Sequence, residues 1–222
     1  MEPMSMKRLM MVAALAVAQS GCVSAQEDAP VVFSNVLALS GSPGGSCAPD
    51  TAKFISQGSL DLAGGGNYQM AVRVRSTIPV ARTVLVGETP TLVGGESVTL
   101  TEFVYRYEAS PDLGLPEEER VATNAVVPAG TTSDNSYVPL TAFGPLALEK
   151  LRAAAPAYPG VSVISYIKAR GRLGSTSNAE SNEFSFPVQV FASDCESKPL
   201  TAGICNFGQD VRSACGPAPT TP

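Results

Sequence analysis

The chain has 222 residues, with 20 Asp and Glu against 15 Lys and Arg, a formal charge of −5, and neither histidine nor tryptophan. An acidic surface repels phosphate backbones and weighs against a nucleic-acid partner. The lack of histidine removes the usual general base and the commonest metal ligand. The length suits one large β domain or two small ones.

Lys7 and Arg8 precede an apolar run from Leu9 to Ala18. As a helix, such a run rises about 15 Å, half of the roughly 30 Å hydrocarbon slab, so it reads as a secretory signal and not as a membrane span. Two exits from the signal compete. Ala16-Val17-Ala18 and Val23-Ser24-Ala25 both fit the small-x-small rule of an ordinary signal peptidase site. Ser20-Gly21-Cys22 instead resembles the end of a bacterial lipobox, in which the thiol receives diacylglycerol and becomes the new N-terminus, although Gln19 stands where that pattern usually carries Leu.

The cysteine count bears on the choice. Cys22, Cys47, Cys195, Cys205 and Cys215 are an odd number for an exported chain. Acylation of Cys22, or cleavage after Ala25, leaves four thiols for two bridges, whereas cleavage after Ala18 strands one. The reading adopted is a signal peptide over 1–21, Cys22 as lipid anchor and a polar tether over 22–30; a simply secreted protein is the alternative. Acyl chains on Cys22 make the membrane a partner. Val23, in place of the Asp that holds enteric lipoproteins at the inner membrane, points to the outer one.

Strands and turns follow. "VVFSNVLAL" (31–39) predicts a first strand, ended by "SGSPGGS". "FISQGSLDLA" and "NYQMAVRVRS" flank Gly64-Gly65-Gly66, which predicts a hairpin. Tyr68, Met70, Val72 and Val74 alternate with Gln69, Arg73 and Arg75, one face dry and one wet, with only Ala71 blurring the polar side. "TVLV" and "TLVGGESVTLTEFVYRYEAS" follow, turning at Gly94-Gly95, with Phe103, Tyr105 and Tyr107 on one face. "PDLGLPEEER" (111–120) reads as a loop, and "VATNAVVPAG" and "SYVPLTAF" as short strands, the latter at an edge because of Pro139.

Only "LALEKLRAAA" (146–155), between Pro145 and Pro156, predicts a helix, with Leu148, Leu151 and Ala155 on one side. "GVSVISYIKARGRL" (160–173) is a long strand and "GSTSNAESN" a polar turn. "EFSFPVQVF" (183–191) points Phe184, Phe186, Val188 and Val190 inward, with Pro187 suiting an edge. Strands with turn signals at such spacing predict an all-β fold, an antiparallel β-sandwich over 31–195 with one short helix, similar in shape to immunoglobulin or fibronectin type III domains.

Residues 196–222 read as a disulfide-stapled tail. The short loop "NFGQDVRSA" predicts Cys205–Cys215, which leaves Cys47–Cys195, joining the ends of the first and last strands. Plain staples in an oxidising compartment account for these four cysteines better than zinc does, since no C-x₂-C spacing occurs.

Motifs for chemistry do not hold up. Ser165-Tyr166-Ile167-Lys168 matches S-x-x-K, but in a strand residues three apart point to opposite faces. There is no G-x-S-x-G elbow, and without histidine no Ser-His or Cys-His pair can form. Glu117, Glu118 and Glu119 read as a solvated charge run. Asp134-Asn135 and Asp210 lack the spacing of a calcium loop. Neither a metal nor a cofactor is expected.

Cys22 after a short signal, Cys47-Ala48-Pro49-Asp50, the strand "ESNEFSFPVQV" and the Cys205…Gly208-Gln209-Asp210…Cys215 tail together resemble the uncharacterised outer-membrane lipoproteins of myxobacteria and their relatives. The resemblance implies an envelope location, on the periplasmic or cell-surface side, and no particular activity. The expectation is a non-catalytic binding or scaffolding module with a protein or glycan partner. The alternatives are a carbohydrate-binding or adhesion module and a hydrolase working with carboxylates alone.

Overall fold

Apolar residues at every second position give the chain its strands, and the pairing of those strands builds two stacked sheets. The computed structural model describes residues 29–41, 45–134, 136–154, 156, 160–175, 177–195 and 203–211. In chain order the strands are β1 (Val31–Ser40), β2 (Ala48–Ile55), β3 (Gly58–Asp61), β4 (Gln69–Ser76), β5 (Arg82–Val86), β6 (Thr89–Val93), β7 (Val98–Ser110), β8 (Glu119–Val127) and β9 (Tyr137–Thr141). The helix α1 (Pro145–Ala154) comes next, then β10 (Val161–Leu173), β11 (Ser177–Glu180) and β12 (Phe184–Phe191).

One sheet has the order β2-β1-β4-β9, the other β3-β12-β10-β7-β8, with β11 alongside the far end of β10. All strand pairs are antiparallel except β3, which runs parallel to β12 from Gly58↔Val188 to Asp61↔Phe191. The core lies between the sheets: Phe33, Met70, Val72 and Leu140 from one meet Tyr105, Ile167, Phe186 and Val188 from the other. This is the all-β sandwich that the alternation predicts.

A bulge explains an irregularity in β7. Val98 and Leu100 point inward at even positions, Phe103, Tyr105 and Tyr107 at odd ones. The register against both neighbouring strands shifts between them, so one extra residue moves the second half onto the core face. Ala71 pairs with Leu37, and both are buried although neither joins the inner core.

Four expectations change. The glycines at 64–66 do not close a hairpin: β3 and β4 belong to different sheets, and the chain crosses between them through a 3₁₀ turn, Leu62–Gly64, ended by Gly65 at φ 73°. Glycine supplies that left-handed residue equally well in a crossover and in a hairpin. Pro187 does not mark an edge, because β12 lies between β10 and β3; the parallel pairing starts one residue later, at Val188, where an N–H is available. "GSTSNAESN" contains β11, paired to β10 from Leu173↔Ser177 onward. Finally, β6 does not turn back onto β7; it pairs with β5 in a separate two-stranded ribbon. The helix and the edge position of β9, with Pro139 in it, follow the sequence reading.

Candidate functional site

Strand ends leave backbone groups open, and this protein fills two such gaps with side-chain amides. The pairing of β1 with β2 begins only at Val36, which leaves the edge at Phe33 open on that side. There Asn182 accepts from the Phe33 N–H at 2.7 Å and donates to its C=O at 2.9 Å. At the other end of the sandwich, the pairing of β4 with β1 stops at Ala71. Gln209 serves Gln69 in the same way, Oε1 accepting from N–H and Nε2 donating to C=O, both at 3.0 Å.

Gln209 comes from the C-terminal loop, residues 203–211. Its backbone forms an antiparallel bridge to Leu60 in β3, so one buried residue ties the two sheets together. Cys205 anchors the same loop to Cys47 by a disulfide, with Cα atoms 5.3 Å apart. Cys205 sits at φ 66° while the Asn206 N–H donates to the Ile204 C=O across it, a γ-turn of the rarer, strained form. The loop is thus a clasp over one end of the sandwich.

Asp210 completes the clasp. One carboxylate oxygen accepts from the Ser59 N–H at 3.0 Å, the other from the Tyr68 hydroxyl at 2.9 Å. Burial raises the Asp210 pKa, against the lowering effect of the bonds from Ser59, Tyr68 and Gln209. Burial, helped by the charge of Asp210, pushes the Tyr68 phenol far above its ordinary value. Beside this pair a shallow cleft of about 420 Å³ is lined by Gln57, Ser59, Ser162, Gln189 and Asp210, among others. A more apolar cleft of about 300 Å³ lies by Cys47, Gln69, Tyr137 and Pro139.

The charge run at 117–119 does not behave as one unit. Glu118 pairs with Arg120 in solvent, while Glu119 is buried. The reason is the start of α1. Pro145 opens the helix behind Gly144, which has no side chain to cap it, so the first N–H groups need an acceptor from elsewhere. Glu119 Oε1 accepts from the Leu146 N–H at 2.7 Å and Oε2 from the Ala147 N–H at 3.1 Å. The Tyr107 hydroxyl donates to Oε2 at 3.1 Å and accepts from the Gly144 N–H at 2.8 Å. A Cβ on residue 144 would collide with the Glu119 carboxylate, so the glycine is what lets it approach. An uncapped Gly-Pro helix start is the one sequence signal for this arrangement.

The predicted disulfides are corrected. Cys47 pairs with Cys205, so neither Cys47–Cys195 nor Cys205–Cys215 forms. The reason is the clasp, which folds back onto β3 and β4 beside β2 and brings Cys205 to the residue preceding that strand. Cys195 is also disulfide-bonded. Cys22, Cys215 and Asn135 lie outside the described residues. Ser165 faces the core, its hydroxyl unpartnered among the described residues, and Lys168 faces outward to Glu180 at 2.8 Å, so the S-x-x-K match is split between two faces. Asp134 contributes its backbone C=O to Arg73.

The chain has no match among known family models, curated proteins or solved structures.

What the arrangement can do follows from its groups. Tyr105 and Tyr107 stack at 15° with centroids 6.1 Å apart, but both are buried and form core, not a sugar platform. Among the described residues lining the 420 Å³ cleft, Asp210 is the one acidic group. Among the described residues no group of three or more Cys, Asp or Glu is placed to hold a metal. The cleft offers amides and hydroxyls beside the Asp210 carboxylate, groups that bind polar ligands by hydrogen bonds.

Proposed function

We propose that the protein is a lipid-anchored envelope protein whose β-sandwich is a non-catalytic binding or scaffolding module. The Cys47–Cys205 disulfide carries this reading, because such bonds persist in oxidising compartments outside the cytoplasm. The basic and apolar N-terminus supplies the export route, and Cys22 the anchor that holds the module at the outer membrane. Intact-mass measurement of the native protein, reduced and unreduced, tests it. The expected chain starts at Cys22, carries acyl mass and gains the hydrogens of two disulfides on reduction. A chain that starts at Gln19 without lipid overturns the anchor.

The amides and hydroxyls that surround Asp210 in its cleft favour a second reading, a glycan-binding or adhesion module. Titration calorimetry against envelope glycans separates the two. Saturable binding that is lost in Gln57→Ala supports glycan recognition; no heat with any glycan removes it.

A further inference from the structure

We propose that the ribbon β5–β6 is a second membrane contact, an apolar arm that lies in the interfacial layer of the bilayer holding the acylated Cys22. The inference rests on the anchored reading above.

Among the described residues the two strands of the ribbon pair only with each other. Its two-residue loop, Gly87-Glu88, has positive φ at Gly87 alone (64°), as a II′ turn requires. Side chains alternate between its faces: Thr83, Leu85, Pro90 and Leu92 share one, while Val84, Val86, Thr89 and Thr91 share the other. Leu85, Val86 and Leu92 are 72%, 62% and 69% exposed, and Val80 at the base is 62% exposed. From Val80 to Val93 only Arg82 and Glu88 are charged, one near each end. Free strands in water are normally protected by charges, and a contiguous exposed apolar patch marks a contact surface.

The path of the chain selects the bilayer as the occupant. The segment arriving from Cys22 enters the fold at Ala29 and Pro30. The Thr77 N–H donates to the Pro30 C=O at 3.1 Å, and the Thr77 hydroxyl to the Ala29 C=O at 2.9 Å. Two residues later, Pro79 accepts from the Gly95 N–H at 2.9 Å, closing the base of the ribbon. The anchor segment and the arm therefore leave the body at one corner. Seven residues from Cys22 to Ala29 reach at most about 25 Å, and the ribbon strands are about 17 Å long. An anchor on so short a tether brings this corner to the lipid surface. Lying flat, the arm buries Leu85 and Leu92 while Arg82 and Glu88 stay among the headgroups.

The lack of tryptophan makes a single introduced one an unambiguous reporter. Leu85→Trp places it on the arm. Leu146→Trp, on the 57%-exposed Leu146 of α1, places a control by the opposite end of β4, where Asn67 and Tyr68 bond to Phe143 and Ala142. In proteoliposomes of phosphatidylethanolamine and phosphatidylglycerol, the acylated full chain is expected to show a blue-shifted, bromolipid-quenched emission for L85W and not for L146W. On the Cys22→Ala chain, Leu92→Asp is expected to lower the vesicle partition coefficient about tenfold. If mass spectrometry finds the acyl chains and L85W is quenched no more than L146W, the arm is overturned and the anchor stands. If the acyl mass is missing, the anchor falls by itself; the arm then stands or falls on whether unacylated L85W shifts with the same vesicles. A shift that grows with protein concentration without lipid assigns the ribbon to a second copy of the chain and overturns the membrane contact.

Discussion

The carboxamide of Gln209 pairs with the backbone of Gln69 as another strand would, accepting from its N–H and donating to its C=O, both at 3.0 Å. The donor comes from a loop 140 residues further along the chain. Because Gln209 also bridges Leu60 through its backbone, the bond couples β4 of one sheet to β3 of the other. Gln209→Ala leaves both Gln69 groups unpaired at a part-buried site, where each lost partner costs about 1–3 kcal/mol. The expected result is a stability loss of roughly 3 kcal/mol, read as a lower urea midpoint with an unchanged slope. Gln209→Glu keeps the acceptor but sets a buried carboxylate oxygen against the Gln69 C=O, so at neutral pH it is expected to lose at least as much as Gln209→Ala. An unchanged midpoint in Gln209→Ala would mean that the clasp does not hold the sheets together.

Glu119 does for α1 what no side chain of its own first turn does. Glu119→Ala strands the N–H groups of Leu146 and Ala147 together with the Tyr107 hydroxyl. The loss of stability is expected at roughly 3–5 kcal/mol. Glu118→Ala, one residue away and solvent-paired, is expected to change stability by less than about 1 kcal/mol. Denaturant unfolding of the two variants side by side checks the contrast; equal losses would contradict the burial of Glu119.

Three buried phenols set the alkaline limit. Burial raises Tyr68, Tyr105 and Tyr107, the Tyr105 value to about 12, and the Glu119 charge adds to the rise of Tyr105 and Tyr107. In the unfolded chain these groups lose their protons near pH 10. Above that pH the native state binds more protons than the unfolded one, so stability falls as pH rises. Their contribution is full below about pH 10 and is lost progressively above it. Urea midpoints measured from about pH 8 to pH 12 should be level at first and then decline, and Tyr105→Phe should flatten the decline.

Ser165 offers a change in the other direction. Its hydroxyl is fully buried without a partner among the described residues, opposite Tyr107 and Phe186 in the adjacent strands. Removing an unsatisfied polar atom from a core relieves its desolvation cost, about 1 kcal/mol here. Ser165→Ala is expected to raise the thermal midpoint. A clear fall would show that the hydroxyl has a partner, such as a buried water.

Much of the sandwich is legible in the sequence, and for local reasons. Tyr68 through Val74 alternate, and those positions are buried; Phe184, Phe186, Val188 and Val190 do the same in β12. Pro145 and Pro156 bracket the one helix. Lys168 and Ser165 point to opposite faces because their spacing in a strand requires it. What escaped lies at the ends of these elements. Pro187 suggested an edge, yet β3 arrives from 130 residues earlier in the chain to cover β12. Glu119 sits in an acidic run whose other members are solvated, and only the position of α1 gives it a buried role.

By itself the sequence determined most of the segments that extend, which side of those turns inward and that the chain stacks as a β-sandwich. Those properties follow from side-chain periodicity over five to ten neighbouring residues. Tertiary structure alone decided which strands become neighbours, that Cys47 meets Cys205, and that Gln209 and Glu119 complete backbone groups far away in sequence. Such pairings depend on where the fold leaves an open strand edge or an uncapped helix, and no local pattern encodes the residue that arrives to fill it.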